Sequence, residues 1–129
     1  KLDFALGNPG PVLQLINEWY ENAAKAFGVN PVEVKYVKEY LIQAGFTEVK
    51  EKIIQVPIGE WHKDQVEKEN GFLLKQVFKA FYDSKRSWWV SELKLPGPEY
   101  DRLTTAALNE IDNEQSYIDY VIFTARKPL

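Results

Sequence analysis

The side chain in this sequence best suited to proton transfer is its single histidine, His62. Histidine changes charge near neutral pH, so His62 is the weak candidate for a general base. It lies in the charged stretch EWHKDQVEKEN, which favours an exposed and hydrogen-bonded side chain instead. No G-x-S-x-G elbow marks a serine for it to activate. Carboxylate pairs such as Glu67 and Glu69 are typical of solvated faces.

Metal and phosphate sites are not predicted. The sequence has no cysteine and one histidine, so thiolate and histidine ligand clusters are excluded. It contains neither G-x-G-x-x-G nor a P-loop, and therefore no glycine-rich turn that would hold a phosphate or a dinucleotide. The absence of cysteine also excludes disulfide bonds and predicts an intracellular, cytoplasmic location.

Aromatic side chains supply the candidate substrate-binding residues. They make up 14% of the sequence, which indicates a dense core or an apolar pocket. Trp88 and Trp89 are predicted to lie in an extended loop, where neighbours face opposite ways, so one should reach the core and the other a ligand or partner. Tyr20 lies at the margin of an apolar helical stripe, and Trp61 follows a Gly-Glu turn. Both are interpreted as packing residues or as pocket walls.

Length and composition indicate a single domain, or part of one, over residues 1–129. With 45% hydrophobic and 27% charged residues, the composition is that of a folded globular protein. The net charge of -3 argues against nucleic-acid binding, which needs a basic field. No apolar run reaches the length of about 18 residues that a membrane span needs, so none is predicted.

The patterns of apolar residues predict an α/β protein, which is α+β if the chain is taken in isolation. Residues 1–10 are expected to be irregular and residues 60–70 to form a loop. Four helices are predicted, over residues 11–27, 31–44, 71–84 and 98–113. Two main strands are predicted, over residues 47–58 near a sheet edge and over residues 117–126 in the middle of a sheet. The second strand is apolar on both faces, which predicts that helices cover it on both sides.

Two segments carry opposite charge, residues 72–89 and residues 99–119. Residues 72–89 combine an apolar stripe with lysine and arginine, which is typical of a core-packed helix with a wet basic face, and less often of a helix that binds a membrane surface or a partner. Residues 99–119 are acidic by contrast. We expect the two segments to attract each other within the fold.

Three stretches in order resemble class I S-adenosylmethionine-dependent methyltransferases. Residues 41–49 have the L-x-x-A-G-F-x-x-V cadence that precedes the penultimate strand of these enzymes. Residues 56–64, VPIGEWHKD, are similar to a stretch of the fungal methyltransferases of secondary metabolism. Residues 117–128 resemble their closing strand and its A-R-K-P end.

This resemblance covers nearly the whole chain but only the C-terminal half of the Rossmann-like methyltransferase fold. It implies that the last strand inserts antiparallel beside its neighbours. The half that binds S-adenosylmethionine lies upstream in the family, with a glycine-rich loop and an acidic residue that this sequence lacks. The chain alone is therefore not expected to bind the cofactor, and no cofactor residue carries over. Catalysis in the family is mainly the positioning of an acceptor.

Three functions remain compatible with these features. The chain is the acceptor-side part of a small-molecule methyltransferase, completed by the N-terminal half of the same fold. Alternatively, it is a truncated methyltransferase-like protein that binds or cyclises a hydrophobic natural product without methyl transfer. The third possibility is an interaction module that completes its sheet with another chain or as a homo-oligomer. Whether these 129 residues catalyse a reaction by themselves is open at this stage.

Overall fold

The structure is a computed structural model, and it describes residues 5–129. The chain forms three strands, four α-helices and one 3-10 helix. They are β1 (Ala5–Gly7), α1 (Pro11–Ala26), the 3-10 helix Pro31–Tyr36, α2 (Val37–Gln43), β2 (Thr47–Pro57), α3 (Gln65–Glu92), α4 (Gly97–Asn113) and β3 (Tyr117–Arg126). This mixture of helices with a small antiparallel sheet confirms the predicted α+β class.

The sheet has the order β1-β3-β2, and both pairings are antiparallel. Strand β3 is therefore central and β2 lies at an edge, as predicted. The β2 pairing runs along the whole of β3, whereas β1 reaches only Tyr117, Ile118 and Asp119. Beyond Asp119, within residues 5–129, the second edge of β3 has no neighbour.

The predicted coverage of β3 on both faces is wrong for most of the strand. Ile118 is 2% exposed, but Tyr120, Val121 and Ile122 are 45%, 40% and 43% exposed. The buried end of the sheet is the end at which β2 finishes and β3 begins. From there the two strands extend as a ribbon that the short helix α2 contacts but does not cover. Apolar residues on both faces of β3 therefore do not lead to burial.

Helix α3 is twice the predicted length, with 28 residues. Its N-terminus is capped by Asp64, whose carboxylate accepts hydrogen bonds from the amides of Val66 and Glu67 at 3.0 and 3.1 Å. Residues 65–70 are therefore helical rather than a loop. The predicted extended loop at Trp88 and Trp89 is also wrong, because both residues lie on the last turns of this helix.

Two other segments differ from the expected elements. Residues 1–10 were expected to be irregular, yet residues 5–7 form β1; residues 1–4 lie outside the described part. The single helix predicted over residues 31–44 begins as a 3-10 helix and becomes α-helical at Val37. Asn30 caps it as expected, accepting from the amide of Val32 at 3.2 Å. The alternating valines at its start are poor α-helix formers, which favours a short 3-10 segment.

The core lies between α1, α3 and α4 and the inner end of the sheet. Its buried apolar residues are Leu13, Ile16, Ile58, Leu74, Phe78, Tyr82, Trp89, Tyr100, Ala107, Ile111 and Ile118. Helix α3 approaches the turn after β2 at Gly71, whose carbonyl accepts the amide of Gly59 at 2.8 Å. A side chain at Gly71 would meet the Gly59 carbonyl oxygen at 1.9 Å. Glycine is therefore required inside this helix.

Ion pairs join α3 to α4 and confirm the expected attraction between the basic and acidic segments. The Arg86 guanidinium donates two hydrogen bonds to the Asp101 carboxylate, at 2.7 and 2.9 Å. Lys75 pairs with Asp112 at the C-terminal end of α4. The Arg86 guanidinium holds the pKa of Asp101 below its ordinary value. Both pairs are solvent-accessible, so they orient the helices more than they stabilise them.

Candidate functional site

A cavity of about 130 Å³ lies between α1 and α3. Its walls come from β1, α1 and α3, and they are almost entirely apolar. The lining residues are Leu6, Leu13, Ile16, Asn17, Tyr20, Val77, Phe78, Phe81, Tyr82 and Trp89. The cavity thus combines the inner face of the first helix with the C-terminal half of the longest one.

Helical periodicity brings the α1 residues together. Leu13, Ile16, Asn17 and Tyr20 follow the i, i+3, i+4, i+7 spacing that places side chains on one face. On α3, Phe78, Tyr82 and Trp89 follow the same periodicity over three turns. Each helix therefore presents one continuous stripe, and the cavity is the space that these two stripes leave unfilled.

Aromatic packing fixes the position of Trp89, which is 1% exposed. Its ring contacts Phe81 edge-to-face, with centroids 5.8 Å apart and an interplanar angle of 80°. It meets Trp19 and Tyr100 at 6.2 Å each, again at steep angles. On the opposite side, Tyr20 contacts Phe81 at 6.0 Å. Edge-to-face packing is a favoured geometry of aromatic rings, so these contacts stabilise the position of Trp89.

Two buried side-chain atoms make no hydrogen bond within residues 5–129, and one belongs to the cavity wall. They are the indole nitrogen of Trp89 and Oδ1 of Asp119. Since buried polar groups are normally paired, an orphaned indole N–H requires an explanation. The amide of Asn17, by contrast, donates to Glu21 at 3.1 Å.

Tyr82 and Tyr100 are neutral phenols. Burial raises the pKa of Tyr82 above its ordinary value. Burial, followed by the nearby Asp83 and Asp101 carboxylates, raises the pKa of Tyr100 to about 12. The Tyr100 hydroxyl donates to the Tyr82 carbonyl at 2.8 Å. Neither phenol ionises near neutral pH, so neither acts as a base.

The chemistry available in the cavity is binding rather than acid–base catalysis. Among residues 5–129, its lining includes no carboxylate, no imidazole and no amine. A proton donor or acceptor with a pKa near neutrality is the usual requirement for general acid–base catalysis. The cavity suits an apolar ring, held by shape and by contact with other rings.

Comparison with known proteins finds no matching family model, curated protein or solved structure. Among residues 5–129, no helix has the length and apolarity to cross a membrane. The same residues contain no group of three metal-ligating side chains. The features of this chain that bear on function are the cavity, the open edge of the sheet and the sequence resemblance.

The predicted substrate-binding residues divide into two groups. Tyr20 and Trp89 both line the cavity, on opposite helices. Trp88 lies outside the lining and packs on Phe27, with ring centroids 5.5 Å apart. Trp61 also lies outside it. The structure thus brings together two of the four predicted aromatic residues.

Trp61 and His62 organise the turn between β2 and α3. The Trp61 indole donates to the Ser116 carbonyl at 2.9 Å, which ties this turn to the start of β3. Nδ1 of His62 accepts the amide of Asp64 at 3.1 Å, next to the cap of α3. Neither residue lines the cavity.

Most of the cavity wall was not singled out from the sequence. Leu6, Leu13, Asn17 and Tyr82 carried no distinctive signal in isolation. A signal did exist on α3, because the spacing from Leu74 through Phe78 and Tyr82 to Trp89 is helical throughout. If the stripe is continued past residue 84, it predicts a longer helix with Trp89 on its buried face.

Proposed function

We propose that this chain is the C-terminal, acceptor-side part of a small-molecule S-adenosylmethionine-dependent methyltransferase. The observation that carries the proposal is the antiparallel pair β2–β3, on which the methyltransferase-like stretches fall. One stretch ends at the start of β2, the second spans the end of β2 and the turn after it, and the third is β3. The family fold has an antiparallel last strand inside its sheet, with a neighbour on each edge.

The open edge of β3 supports the same proposal. Beyond Asp119 it has free backbone donors and acceptors, within the described part of the chain, where a further strand of the sheet would pair. Exposed apolar side chains lie on both faces of the β2–β3 ribbon next to this edge. Ile53 and Val121 share one face, and Ile54, Tyr120 and Ile122 share the other. Exposed apolar patches mark contact sites, and the rest of a methyltransferase sheet with its helices would cover them.

The proposal assigns acceptor binding to this chain and cofactor binding to the other half of the fold. The apolar cavity is suited to hold an acceptor, since positioning against the methyl group is the main catalytic requirement. The cofactor would be bound by the other half of the fold, because the glycine-rich loop is missing from this sequence.

The test begins with the coding sequence upstream of Lys1. We expect a glycine-rich strand–loop–helix there, and we expect the longer chain to bind S-adenosylmethionine in a calorimetric titration. The 129-residue chain serves as the matched control and should give no heat of binding. A start codon directly before Lys1, or micromolar binding by the control, would contradict the proposal.

A second candidate function is a free-standing protein that binds or cyclises a hydrophobic natural product without methyl transfer. It is favoured by the cavity, which β1, α1 and α3 line with apolar side chains. Its discriminating observation is ligand binding by the 129-residue chain in the absence of S-adenosylmethionine. Since no acid or base lines the cavity among the described residues, binding of the product is better supported than its cyclisation.

The interaction module, completed by another copy or another chain, is supported by the same open edge of β3. Strand addition to an unpaired edge supplies main-chain hydrogen bonds and covers the exposed ribbon. Light scattering coupled to size exclusion tests it at several concentrations. A monomer at every concentration would refute the homo-oligomer.

A further inference from the structure

We infer that residues 1–4, which lie outside the described part of the chain, pair with the open edge of β3 as a continuation of β1. The partner of this edge is then the chain's own N-terminal side and not a second molecule. The inference goes beyond the methyltransferase proposal, because it requires neither a cofactor nor a longer chain. Three observations lead to it: the register of β1, the pattern of residues 1–4 and the contrast between the two outer edges of the sheet.

The register of β1 directs the preceding residues along the open edge. Ala5 lies opposite Asp119 and Leu6 lies opposite Ile118, in antiparallel order. Each step toward the N-terminus on β1 is therefore a step toward the C-terminus on β3. Continued without a shift, this register places Phe4 opposite Tyr120, Asp3 opposite Val121, Leu2 opposite Ile122 and Lys1 opposite Phe123.

The first four residues alternate between polar and apolar side chains. Leu2 and Phe4 fall on the same face of a continued strand as Leu6, whereas Lys1 and Asp3 fall on the other face. Such alternation is typical of a strand with one covered face. The segment therefore has the pattern that a strand at this place needs.

The face of β3 that Leu2 and Phe4 would join is apolar and only partly covered. Tyr120 and Ile122 share this face with Ile118, since they follow it at every second residue. Ile118 lies opposite Leu6 and is 2% exposed, whereas Tyr120 and Ile122 are 45% and 43% exposed. Apolar cross-strand neighbours at residues 2 and 4 would cover both side chains.

The two outer edges of the sheet differ in how they are protected. Strand β2 has a register shift between Thr47 and Lys50, with a φ of 51° at Glu48, and its charged residues continue to Lys52. Bulges and charges are devices that keep an edge strand unpaired. Residues 120–124 of β3 are uncharged and pair with β2 without a register shift. The open edge of β3 therefore has the character of a strand that receives a partner.

A second copy of the chain competes poorly for this edge. Residues 1–4 are attached directly to β1, so their effective concentration at the edge is on the order of millimolar. A second copy at micromolar concentration would have to displace them before its own strand could pair. The interaction module considered above consequently requires that residues 1–4 leave the edge.

The directions of the backbone groups along β3 give the inference a signature at single residues. The amide of Ile58 donates to the Ser116 carbonyl at 3.0 Å, so residue 116 directs its backbone groups toward β2. Because these directions alternate along a strand, even-numbered residues of β3 bond to β2 and odd-numbered residues face the other edge. In the inferred register the amides of Val121 and Phe123 donate to the carbonyls of residues 3 and 1.

Amide hydrogen exchange of the ¹⁵N-labelled 129-residue chain, followed by NMR, tests this signature. We expect Val121 and Phe123 to be protected. Removing residues 1–4 should lower their protection by about tenfold, since each amide loses its acceptor. Tyr120 and Ile122 donate to β2, so their unchanged protection shows that the shortened chain keeps its fold.

A disulfide cross-link tests the register, and the absence of cysteine from the sequence leaves no competing thiol. Leu2 and Ile122 form a non-hydrogen-bonded pair in the inferred register, with Cα atoms about 4.5 Å apart, which a disulfide can bridge. Leu2→Cys/Ile122→Cys should therefore close within one chain on oxidation, as measured by peptide mass mapping. The matched control is Leu2→Cys/Ile54→Cys. Ile54 is 39% exposed on the same face but lies one strand further away, so this pair should stay open.

Equal exchange of Val121 and Phe123 with and without residues 1–4 would overturn the inference, and so would equal closure of the two cysteine pairs. Disulfides between chains, together with a wild-type dimer in light scattering, would assign the edge to a second copy instead. Each of these results leaves the S-adenosylmethionine titration of the longer chain unaffected. Failure of this inference is therefore distinguishable from failure of the methyltransferase proposal.

Discussion

The N-terminus of α1 depends on a carboxylate from another helix, and removing that carboxylate tests how the walls of the cavity are held. The first amides of a helix have no intrahelical partner, and the cap residue of α1 is Gly10, which has no side chain to offer. The Glu110 carboxylate on α4 accepts from the amide of Val12 at 3.0 and 3.1 Å and from that of Leu13 at 2.9 Å. The perturbations are Glu110→Ala and Glu110→Gln.

The magnitude follows from two contributions. Loss of a side-chain cap costs about 0.5–2 kcal/mol, and a negative charge at a helix N-terminus contributes about 0.3–1 kcal/mol. We expect Glu110→Ala to lower the free energy of unfolding by about 2 kcal/mol. Glu110→Gln keeps one acceptor oxygen but no charge, so its loss should be about 1 kcal/mol. With about 2.1 cal/mol/K of unfolding entropy per residue, these losses correspond to roughly 7 and 4 °C in Tm for this chain.

Urea titration and thermal unfolding, both followed by circular dichroism, measure these losses. The matched control is Glu114→Gln, at the exposed C-cap of the same helix, which should change the free energy of unfolding very little. The difference between Glu110→Gln and wild type should also shrink in high salt, because the charge is partly screened. If Glu110→Ala costs no more than Glu114→Ala, water satisfies the amides of α1 and the reasoning is refuted.

Three further predictions concern the contact between α3 and the turn after β2, the Arg86–Asp101 ion pair and the β2–β3 ribbon. Gly71→Ala should lower the free energy of unfolding by about 1–3 kcal/mol, since its methyl group would overlap the Gly59 carbonyl oxygen; wild-type stability in urea would contradict this close approach. Arg86 lowers the folded-state pKa of Asp101, so their pairing stabilises the fold above the unfolded-state pKa and is lost as pH falls through the lowered value. Tm of Asp101→Asn should accordingly fall less steeply than that of wild type below about pH 4, and parallel curves would refute the linkage. Ile53→Thr should change the free energy of unfolding by less than about 0.5 kcal/mol because Ile53 is exposed; a loss above about 1 kcal/mol would indicate that another chain covers the ribbon.

The sequence predicts elements well where local signals agree. Pro11 and Gly28 bracket α1, Pro98 stands in the first turn of α4, and the apolar stripe between these signals has helical spacing. The central position of β3 also follows from its composition on both faces. These features depend on residues close together in the chain, which is why pattern analysis finds them.

The sequence predicts α3 poorly because a tertiary contact overrides local preference. Glycine in a helix costs about 1 kcal/mol relative to alanine, so Gly71 suggested a helix start. The helix continues through it because the backbone of Gly59 lies where a side chain would be. No window of sequence around residue 71 contains that information.

The exposure of β3 and the position of the cavity could not be predicted from the sequence, for a related reason. Alternation shows which residues of β3 share a face, but it does not show how far the helices extend over the sheet, so the exposure of Val121 and Ile122 was missed. Tyr20 and Trp89 were selected for their ring chemistry. Their convergence on one cavity depends on α1 and α3 both packing on α4, which is decided by packing across the whole domain.

The pairing of β3 with both β1 and β2 also sets the order of events during folding. β1 and β2 do not pair with each other, and every ladder of the described sheet includes residues 117–126. During synthesis, the helices and their loops therefore leave the ribosome before any strand has a partner. The closing contacts span the chain, with the Ser116 hydroxyl donating to the Asn8 carbonyl at 2.8 Å. Contacts of such long sequence separation form slowly, so the sheet should be the last part of the fold to gain protection from hydrogen exchange.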